Sequence, residues 1–432
     1  MTLPSLHAVL VERTTPRLVE LLAAALDGSG PALLPLDARL PQPRLAELIS
    51  AFAPDTIEDA DGVTTARSGR KVPVAEGTAV IVGTSGSTGA SKGVELSAAA
   101  LLHSARASLA RLDARPGQRW LCCLPATYIA GIQVLVRSLA AGTEPVLAER
   151  ADARTVAGSG CAHVSLVPTQ LQRLLAGPSR PGDSPAPLAG FSSVLLGGAA
   201  APKRLLDDAR AAGVRVVTTY GMTETCGGCV YDGQALDGVQ VSIGDEDNPR
   251  SADGGRIWIG GPVLFSGYRP GGPGGHGGVG SPLLSGGFRG VVPPGNTFFR
   301  TGDLGQLDAS GRLTVRGRAD DMIITGGHKV VPGEVAAALE TCPGIRDVAV
   351  VGQPDTEWGE RVVAVVAPDD PAHPPPLELL RLHVRERLPR YAAPSKIVVV
   401  DAVPMLPSGK HDIARLKLEL LRREQTEAEN VS

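Results

Sequence analysis

The sequence lacks several features that mark particular classes of protein. Aromatic residues make up only 3% of the 432 residues, and the 42 Lys+Arg do not outnumber the 45 Asp+Glu. Neither stacking platforms nor a basic surface for nucleic acid is therefore indicated. Nowhere do about 18 apolar residues follow one another, and residues 1–7 lack a basic region followed by an apolar run. We expect a cytoplasmic protein with no nucleic-acid partner and no membrane insertion.

Cysteine is also scarce, and its spacing is irregular. Six cysteines are too few for a disulfide framework in a chain of this length. Cys226 and Cys229 have the spacing of a CxxC pair, but there is no second pair and no nearby histidine to complete a zinc site. We expect these thiols to be reduced and to support a site from behind.

A glycine- and hydroxyl-rich loop follows an apolar, β-branched run, Ala79 to Val82. Backbone N–H groups at the end of a buried strand can converge on an anion, and the loop adds hydroxyl donors and one cation. Its candidate phosphate ligands are Thr84, Ser85, Gly86, Ser87, Thr88, Gly89 and Lys92. The order Ser91-Lys92-Gly93 does not fit a Walker A loop. Taken alone, the composition is equally typical of a surface linker.

Apolar runs typical of strands alternate with helical patterns from residue 79 to about residue 219. This alternation predicts an α/β fold with parallel sheets flanked by helices. Two loops leave the last strands of the series, at residues 197–201 and 220–225. In open α/β sheets, ligands bind at the carboxyl ends of strands, so these loops and the phosphate loop predict a nucleotide site.

The remaining segments show other patterns. Residues 1–77 are interpreted as helices and connections within a large N-terminal domain, 1–317. A small antiparallel β subdomain is predicted at about 228–317, and the Gly-rich stretch 270–295 within it is predicted to be a mobile loop. Polar residues 318–321 predict a connection to a small α+β domain, 322–421, and 422–432 is predicted to be a disordered tail.

Five motifs occur in an order that resembles the adenylate-forming superfamily of acyl-CoA synthetases, adenylation domains and luciferases. They are Thr84 to Lys92, Tyr220 to Glu224, Thr301 to Leu304, Gly317 to Asp321 and Pro407 to Lys410. Each motif alone is a common surface feature, but the ordered set is highly specific. The resemblance implies a large N-terminal domain hinged to a small mobile C-terminal domain.

The resemblance also implies two half-reactions and a role for each matching residue. A carboxylate first attacks the α-phosphorus of ATP and pyrophosphate leaves, and coenzyme A then displaces AMP. In the first step, Lys410 would bridge carboxylate and α-phosphate, Thr223 would contact the α-phosphate, Glu224 would hold Mg²⁺, and Lys92 would hold the leaving phosphates. The implied nucleotide contacts are Asp303 and Arg318 to the ribose, with Tyr220, Gly221, Gly198 and Ala199 around the adenine.

For the second step the resemblance implies rotation of the C-terminal domain about Asp320. This rotation would bring residues 326–329 into place to shape the thiol tunnel. The tunnel residues would be Gly326, Gly327, His328 and Lys329. Glycines beside a polar hinge are consistent with such a motion.

Within the superfamily the chain is most similar to the o-succinylbenzoate–CoA ligases of menaquinone biosynthesis. The similarity lies in residues 125–131, 134–139 and 221–233. The implied acid pocket consists of Tyr128, Gly131, Leu196, Gly197, Thr225 and Cys226. This set suits an aromatic acid, but no arginine in it pairs with a second carboxylate.

Two alternatives stay open. The chain could be an aryl- or acyl-CoA ligase for another acid, which differs only in the pocket. It could also be a nucleotide-binding protein without turnover, although the presence of Lys410, Glu224 and Asp303 argues against that. A homo-oligomer is neither indicated nor excluded.

Overall fold

The computed structural model describes residues 5–68, 72–85, 91–177, 184, 186–244, 254–269, 283–285, 297–406 and 410–429. The chain forms two compact units. The first unit comprises Met1–Gly198, Ala209–Val241 and Trp258–Arg300. The second unit comprises Ala199–Asp208, Ser242–Ile257 and Thr301–Ser432.

The strands and helices follow one another along both units. The strands are β1 Leu6–Val11, β2 Ala32–Asp37, β3 Thr56–Glu58, β4 Thr64–Ala66, β5 Thr78–Ser85, β6 Ser91–Ser97, β7 Trp120–Cys122, β8 Val146–Leu147, β9 His163–Leu166, β10 Ser193–Leu196, β11 Val216–Met222, β12 Gly227–Tyr231, β13 Gln234–Ala235, β14 Gln240–Ile243, β15 Gly255–Gly260, β16 Gly267–Arg269, β17 Leu283–Ser285, β18 Thr297–Leu307, β19 Leu313–Arg318, β20 Ile323–Thr325, β21 His328–Val330, β22 Ile345–Asp355, β23 Gly359–Pro368 and β24 Lys396–Val399. The helices are α1 Pro16–Asp27, α2 Gln42–Phe52, α3 Ala98–Arg111, α4 Ile129–Ala140, α5 Ala153–Gly158, α6 Pro168–Leu175, α7 Lys203–Ala211, α8 Pro332–Leu339, α9 Leu377–Arg385 and α10 Ile413–Glu429.

The first seven-stranded sheet of the first unit has the order β16-β6-β5-β2-β1-β3-β4. Its centre is parallel, whereas β6 and β16 are added antiparallel at one edge. The interpretation of residues 1–77 as helices and connections is thus incomplete, because β1 and β2 are strands. A six-residue apolar run such as Leu6–Val11 fits a buried parallel strand as well as part of a buried helix, so its period does not decide between them.

The second seven-stranded sheet has the order β13-β12-β11-β10-β9-β7-β8. Strands β7 to β11 are parallel, and β12 and β13 are added antiparallel at one edge. Helix α3 packs against β5 and β6 of the first sheet and β12 of the second, and α4 packs against α3 and β7. The prediction of an α/β domain with parallel sheets flanked by helices is confirmed.

Local signals in the sequence explain several helix boundaries. Ser97 caps α3, and its hydroxyl accepts a hydrogen bond from the Ala100 N–H at 3.1 Å. Helix α1 begins at Pro16 and ends at Gly28, which has a φ of +80°. Such residues are typical of the ends of helices.

A five-stranded sheet with the order β14-β15-β18-β17, in which β19 also pairs with β18, occupies the region predicted to be a β subdomain. A turn at Asp308 joins β18 to β19, and its carboxylate accepts from the Ser310 and Arg312 N–H groups. Of the predicted mobile loop, 270–295, the strand Leu283–Ser285 belongs to the described residues and the rest lies outside them.

The C-terminal part of the second unit is a sheet with the order β21-β20-β23-β22, extended by β24 parallel to β23. Helices α8 and α9 cover one face, and α10 covers the other through Leu416 and Leu420. Helix α10 continues to Glu429, into the tail that we predicted to be disordered, because its Leu, Arg, Glu and Gln residues favour helix. In the described part of the chain, no helix is both long enough and apolar enough to cross a membrane.

Candidate active site

The predicted phosphate loop connects two antiparallel strands, β5 and β6. Thr84 lies opposite Lys92 in this hairpin, and the Thr84 hydroxyl donates to the Lys92 carbonyl at 3.3 Å. The pair Ser85 and Ser91 closes the ladder. The other predicted ligands, Gly86, Ser87, Thr88 and Gly89, lie outside the described residues. The hairpin thus leaves the exposed Lys92 side chain at the base of the loop.

A tight turn after β11 carries the predicted catalytic pair Thr223 and Glu224. A Cβ on Gly221 would lie 2.0 Å from the Gly227 carbonyl oxygen, so this position excludes any larger residue. The buried Thr225 hydroxyl accepts from the Met222 N–H at 2.9 Å and donates to the Gly227 carbonyl at 2.8 Å. Thr225 therefore holds the turn together, while Tyr220, Thr223 and Glu224 remain partly exposed.

The two cysteines after this turn are buried and protonated. Burial raises the pKa of Cys226 far above its usual range and that of Cys229 to about 12. All six cysteines of the chain are free. The expectation that the thiols are reduced and support the site from behind agrees with these surroundings.

One oxygen of the Glu224 carboxylate accepts a hydrogen bond from Tyr268. The Tyr268 hydroxyl donates to Oε1 at 2.7 Å, and the Phe265 N–H donates to the Glu224 backbone carbonyl at 2.9 Å. Among the described residues, no group donates to Oε2. A partly exposed carboxylate with one oxygen available fits a hard cation such as Mg²⁺.

The implied acid pocket is built where backbones approach one another closely. A Cβ on Gly131 would lie 2.3 Å from the Pro125 carbonyl oxygen, and one on Gly197 would lie 2.3 Å from the Thr219 hydroxyl. Leu196 is buried, and its carbonyl accepts from the Thr219 hydroxyl at 3.3 Å. Tyr128 is the residue before α4 and is exposed. Partial burial, followed by the charge of Asp37, raises its pKa, so its phenol stays neutral.

One arginine beside this pocket was missed by the sequence analysis. Arg137 on α4 is only 5% exposed. Its guanidinium donates to the Ser165 hydroxyl at 3.0 Å and lies 4.4 Å from the centre of the Trp120 ring. Among the described residues, its Nε atom has no hydrogen-bond partner and no carboxylate forms an ion pair with its guanidinium. Burial lowers its pKa, which the neighbouring Tyr231 partly offsets.

Contacts connect Arg137 to the predicted pocket. Tyr231 lies beside Arg137, and a Cβ on Gly228 would lie 3.0 Å from the Tyr231 ring and 3.1 Å from the Thr219 side chain. Thr219 in turn touches Gly197. A continuous set of neighbours thus leads from the partly exposed Gly197 to the buried guanidinium.

In the second unit, Asp303 and Arg318 face each other across β18 and β19. Their side chains are 3.6 Å apart, and Arg318 also pairs with Asp320 at 3.3 Å. The Thr301 hydroxyl donates to the Ile257 carbonyl at 2.8 Å and accepts from the Asp303 N–H at 3.0 Å. Through these two hydrogen bonds, Thr301 holds the backbone of Asp303 on β18 in place next to β15.

The predicted tunnel residues form a hairpin between β20 and β21. Gly326 and Gly327 occupy its turn with φ of +55° and +79°, which glycine adopts without strain. The Gly326 N–H donates to the Trp358 carbonyl at 2.9 Å, and the Trp358 side chain, which is 52% exposed, lies against Gly326. His328 stacks on Tyr391 at 4.2 Å. Beside the exposed Lys329, the second unit thus presents a partly apolar, aromatic surface.

Lys410 ends a second loop of this unit. The Leu406 N–H donates to the Lys410 carbonyl at 2.7 Å, and Met405 pairs with His411. The His411 imidazole lies 3.1 Å from the Asp347 carboxylate. Residues 407–409 lie outside the described residues, but these contacts fix the loop on both sides of them.

The structure thus brings some predicted residues together within each unit. In the first unit, Lys92 and Glu224 both contact Tyr268. In the second, Asp303, Arg318 and Asp320 form one cluster. Gly198, with a φ of +85°, belongs to the first unit and Ala199 to the second. Tyr268 and Arg137 were missed, although a lone arginine in the apolar stretch 132–139 was a usable signal.

Comparison with known proteins gives a consistent assignment. Residues 31–269 match the model of the AMP-binding enzyme family, and residues 334–410 match that of the AMP-binding enzyme C-terminal domain. A probable 2-succinylbenzoate–CoA ligase of Mycobacterium tuberculosis H37Rv is 45% identical over 349 residues, which are 78% of this chain and 83% of that protein. The 2-succinylbenzoate–CoA ligase of Bacillus pumilus is 32% identical over 79% of this chain and 68% of its own.

A solved structure is similar over nearly the whole chain. The o-succinylbenzoate CoA synthetase MenE of Bacillus subtilis, in complex with the acyl-adenylate intermediate OSB-AMP, superposes with a TM-score of 0.77. It is 25% identical, and the match covers 96% of this chain and 88% of that one. The chain belongs to the AMP-binding enzyme family.

Proposed function

We propose that this protein is an AMP-forming acid–CoA ligase that converts o-succinylbenzoate to o-succinylbenzoyl-CoA. One carboxylate of the acid attacks the α-phosphorus of ATP and releases pyrophosphate. The thiol of coenzyme A then attacks the acyl carbon of the adenylate and releases AMP. The observation that carries the choice of acid is Arg137, which is buried and has no carboxylate partner among the described residues. The 45% identity to a probable 2-succinylbenzoate–CoA ligase supports this choice.

In the first half-reaction, two anions must approach each other, so cations and positioning carry the catalysis. Lys410 would bridge the substrate carboxylate and the α-phosphate, and Lys92 would hold the leaving phosphates. Glu224, through its available oxygen, would hold Mg²⁺, which when bound offsets charge on the phosphates. Thr223 would donate to the α-phosphate. Thr84 to Gly89 would cradle the leaving phosphates from the loop.

The nucleoside would be held by the remaining motif residues. Asp303, kept in place by Thr301, offers a carboxylate that can accept from both ribose hydroxyls, and Arg318 lies opposite it. Tyr220 and Gly221, with Gly198 and Ala199, would line the adenine. Gly221 and Gly198 have no side chain and Ala199 has a short one, so a planar base can approach the backbone there.

In the second half-reaction, the aromatic surface around Gly326 and Gly327 would guide the pantetheine arm of coenzyme A. Trp358 and the stacked His328 and Tyr391 offer apolar faces, and Lys329 offers a charge for the phosphates. We retain residues 318–321 as the hinge between domains 1–317 and 322–421, with Asp320 as its pivot. Rotation about this hinge would remove Lys410 from the reacting groups after the first half-reaction and bring in the hairpin 326–329 for the second.

Arg137 accounts for the acid. The Arg137 guanidinium is buried, and among the described residues no carboxylate pairs with it, so a substrate carboxylate would complete an ion pair there. o-Succinylbenzoate carries two carboxylates, one on its aromatic ring and one on a short chain beside the ring. We assign the carboxylate that is not activated to Arg137 and the ring to the pocket of Tyr128, Gly131 and Gly197.

The proposal is tested by pyrophosphate release with ATP and Mg²⁺ across a panel of acids, each with and without coenzyme A. The panel contains o-succinylbenzoate, benzoate, a medium-chain fatty acid and an aromatic amino acid. We expect release with o-succinylbenzoate and a thioester when coenzyme A is added. Pyrophosphate release with a different acid instead would refute o-succinylbenzoate as the substrate. Binding of ATP without pyrophosphate release for any acid would favour a nucleotide-binding protein.

We propose the cytoplasm as the compartment of this protein, because the reaction draws on ATP and coenzyme A.

A further inference from the structure

Tyr268 connects two groups of opposite charge that come from different strands. Its hydroxyl donates to Glu224 Oε1 at 2.7 Å, and the Lys92 ammonium lies 5.4 Å from the centre of its ring. Glu224 follows β11, whereas Lys92 lies on β6. Among the described residues, no ion pair joins Lys92 to Glu224 directly. The tyrosine therefore stands between a carboxylate and an ammonium that would otherwise attract each other.

The phenol acts as a donor toward the carboxylate. Its hydroxyl lies 2.7 Å from Glu224 Oε1. A carboxylate oxygen accepts hydrogen bonds, so the phenol O–H is the donor of this one. A hydrogen bond from a neutral hydroxyl to an ionised carboxylate is stronger than one between neutral groups, so it fixes the orientation of Glu224.

Tyr268 is itself held by its neighbour, Arg269. The Arg269 side chain is 2% exposed and donates to the carbonyls of Phe52 at 2.7 Å, Val72 at 2.7 Å and Pro73 at 3.1 Å. It also lies 3.5 Å from the Glu95 carboxylate. These contacts anchor strand β16 to the end of α2 and to residues 72–73, and β16 also pairs with β6, so the backbone of Tyr268 has little freedom.

The aromatic ring is fixed from the other side by Phe265. The two ring centres are 4.8 Å apart, and the Phe265 N–H donates to the Glu224 backbone carbonyl at 2.9 Å. Both the side chain and the backbone of Glu224 are therefore tied to residues 265–268. A supporting shell of this kind is what keeps a first ligand in a productive geometry.

We propose that Tyr268 is a positioning residue for the pyrophosphate-forming half-reaction, which holds Glu224 toward Mg²⁺ and Lys92 toward the leaving phosphates. The inference rests on the proposed function, because it takes the roles of Glu224 and Lys92 from there. Without the phenol, Glu224 can turn toward Lys92, and the two charges then neutralise each other instead of binding metal and phosphate. The second half-reaction needs neither group, so it does not depend on Tyr268.

The test compares Tyr268→Phe, which keeps the ring, with Tyr268→Leu, which removes it. Adenylate formation is measured as pyrophosphate release at varied Mg²⁺, and thioester formation is measured separately from synthetic acyl-adenylate and coenzyme A. Loss of one hydrogen bond to a charged group predicts a roughly tenfold to hundredfold rise in the Mg²⁺ concentration for half-maximal rate in Tyr268→Phe. We expect an additional rise in the KM for ATP in Tyr268→Leu, because Lys92 loses the ring. Thioester formation should keep its wild-type rate in both variants.

A readout independent of turnover is the affinity for Mn²⁺ in the presence of ATP, measured by electron paramagnetic resonance. It should weaken in Tyr268→Phe, and the substitution should have little further effect in a Glu224→Gln background. The inference is overturned if Tyr268→Phe depends on Mg²⁺ and Mn²⁺ as the wild type does, or if it slows adenylate formation and thioester formation equally. In either case an active wild-type protein would leave the proposed function standing. A wild-type protein that forms no adenylate with any acid would overturn both.

Discussion

Replacement of Arg137 by methionine should separate stability from activity. Methionine fills a similar elongated volume without charge. In the wild type, the desolvation of the guanidinium costs several kcal/mol. Against this stand the hydrogen bond to Ser165, worth roughly 1.5–3 kcal/mol, and the stacking on Trp120, worth about 2 kcal/mol. Because these terms nearly cancel, we expect Arg137→Met to change the free energy of unfolding by no more than about 1 kcal/mol, or to raise it.

Activity with o-succinylbenzoate should fall sharply in the same variant. Truncation of one partner of a buried charge pair costs about 2–5 kcal/mol, which corresponds to a loss of roughly 30-fold to several thousand-fold in kcat/KM. An aromatic acid without the second carboxylate loses nothing. We therefore expect Arg137→Met to treat such an acid as the wild type does, however slowly.

Steady-state pyrophosphate release and urea unfolding provide the two readouts. Arg137→Lys is the matched control, since it keeps the charge but not the planar fork, and its kcat/KM should lie between the other two. The exposed Arg173→Met, on α6, should change neither quantity. The reasoning is refuted if Arg137→Met retains its kcat/KM for o-succinylbenzoate, or if it unfolds early and loses activity toward both kinds of acid.

Three further predictions concern other parts of the molecule. Burial, followed by the charge of Asp347, raises the pKa of Glu340 to about 7 in the folded protein. The protonated Glu340 side chain therefore contributes fully to stability below the pKa of the unfolded state, and this contribution is lost as the pH rises through about 7. It amounts to at most about 3 kcal/mol. Urea unfolding of Glu340→Gln should therefore show a stability relative to the wild type that increases from pH 5 to pH 8, and a constant difference would contradict the assignment. Lys410→Ala should abolish pyrophosphate release but leave ATP affinity and thioester formation from synthetic adenylate nearly unchanged; an unaltered release rate would remove Lys410 from the mechanism. Gly221→Ala should cost at least about 2 kcal/mol in thermal unfolding, because its Cβ would meet the Gly227 carbonyl oxygen at 2.0 Å, whereas Gly28→Ala, with open space around it, should cost less.

The fold could be predicted wherever the sequence carried a local signal. The alternating apolar runs between residues 79 and 219 indicated the parallel sheets flanked by helices. Strands β1 and β2 were not recognised, because a strand buried on both faces has no alternation to reveal it. The end of helix α10 was predicted to be a disordered tail, because its composition is highly charged. The sheet against which Leu416 and Leu420 of this helix pack cannot be inferred from the sequence of the segment itself.

The site was predictable to a different degree. Motif order predicts roles for Glu224, Asp303 and Lys410, because the chemistry implied by the resemblance needs those residue types. The contacts of Tyr268 and Arg137 join segments that are far apart in sequence: β16, which carries Tyr268, pairs with β6, and Arg137 on α4 donates to Ser165. Hydrogen bonds from Arg269 to carbonyls about two hundred positions away have no sequence signature of their own.

The central claim is that the acid is activated as an adenylate and then transferred to coenzyme A. The most direct measurement uses o-succinylbenzoate labelled with ¹⁸O in both carboxylates, with ATP, Mg²⁺ and coenzyme A, followed by mass spectrometry of the products. The account predicts one ¹⁸O atom in AMP, the other three retained in the thioester, and none in pyrophosphate. Unlabelled AMP, label in orthophosphate, or the absence of a thioester would contradict it.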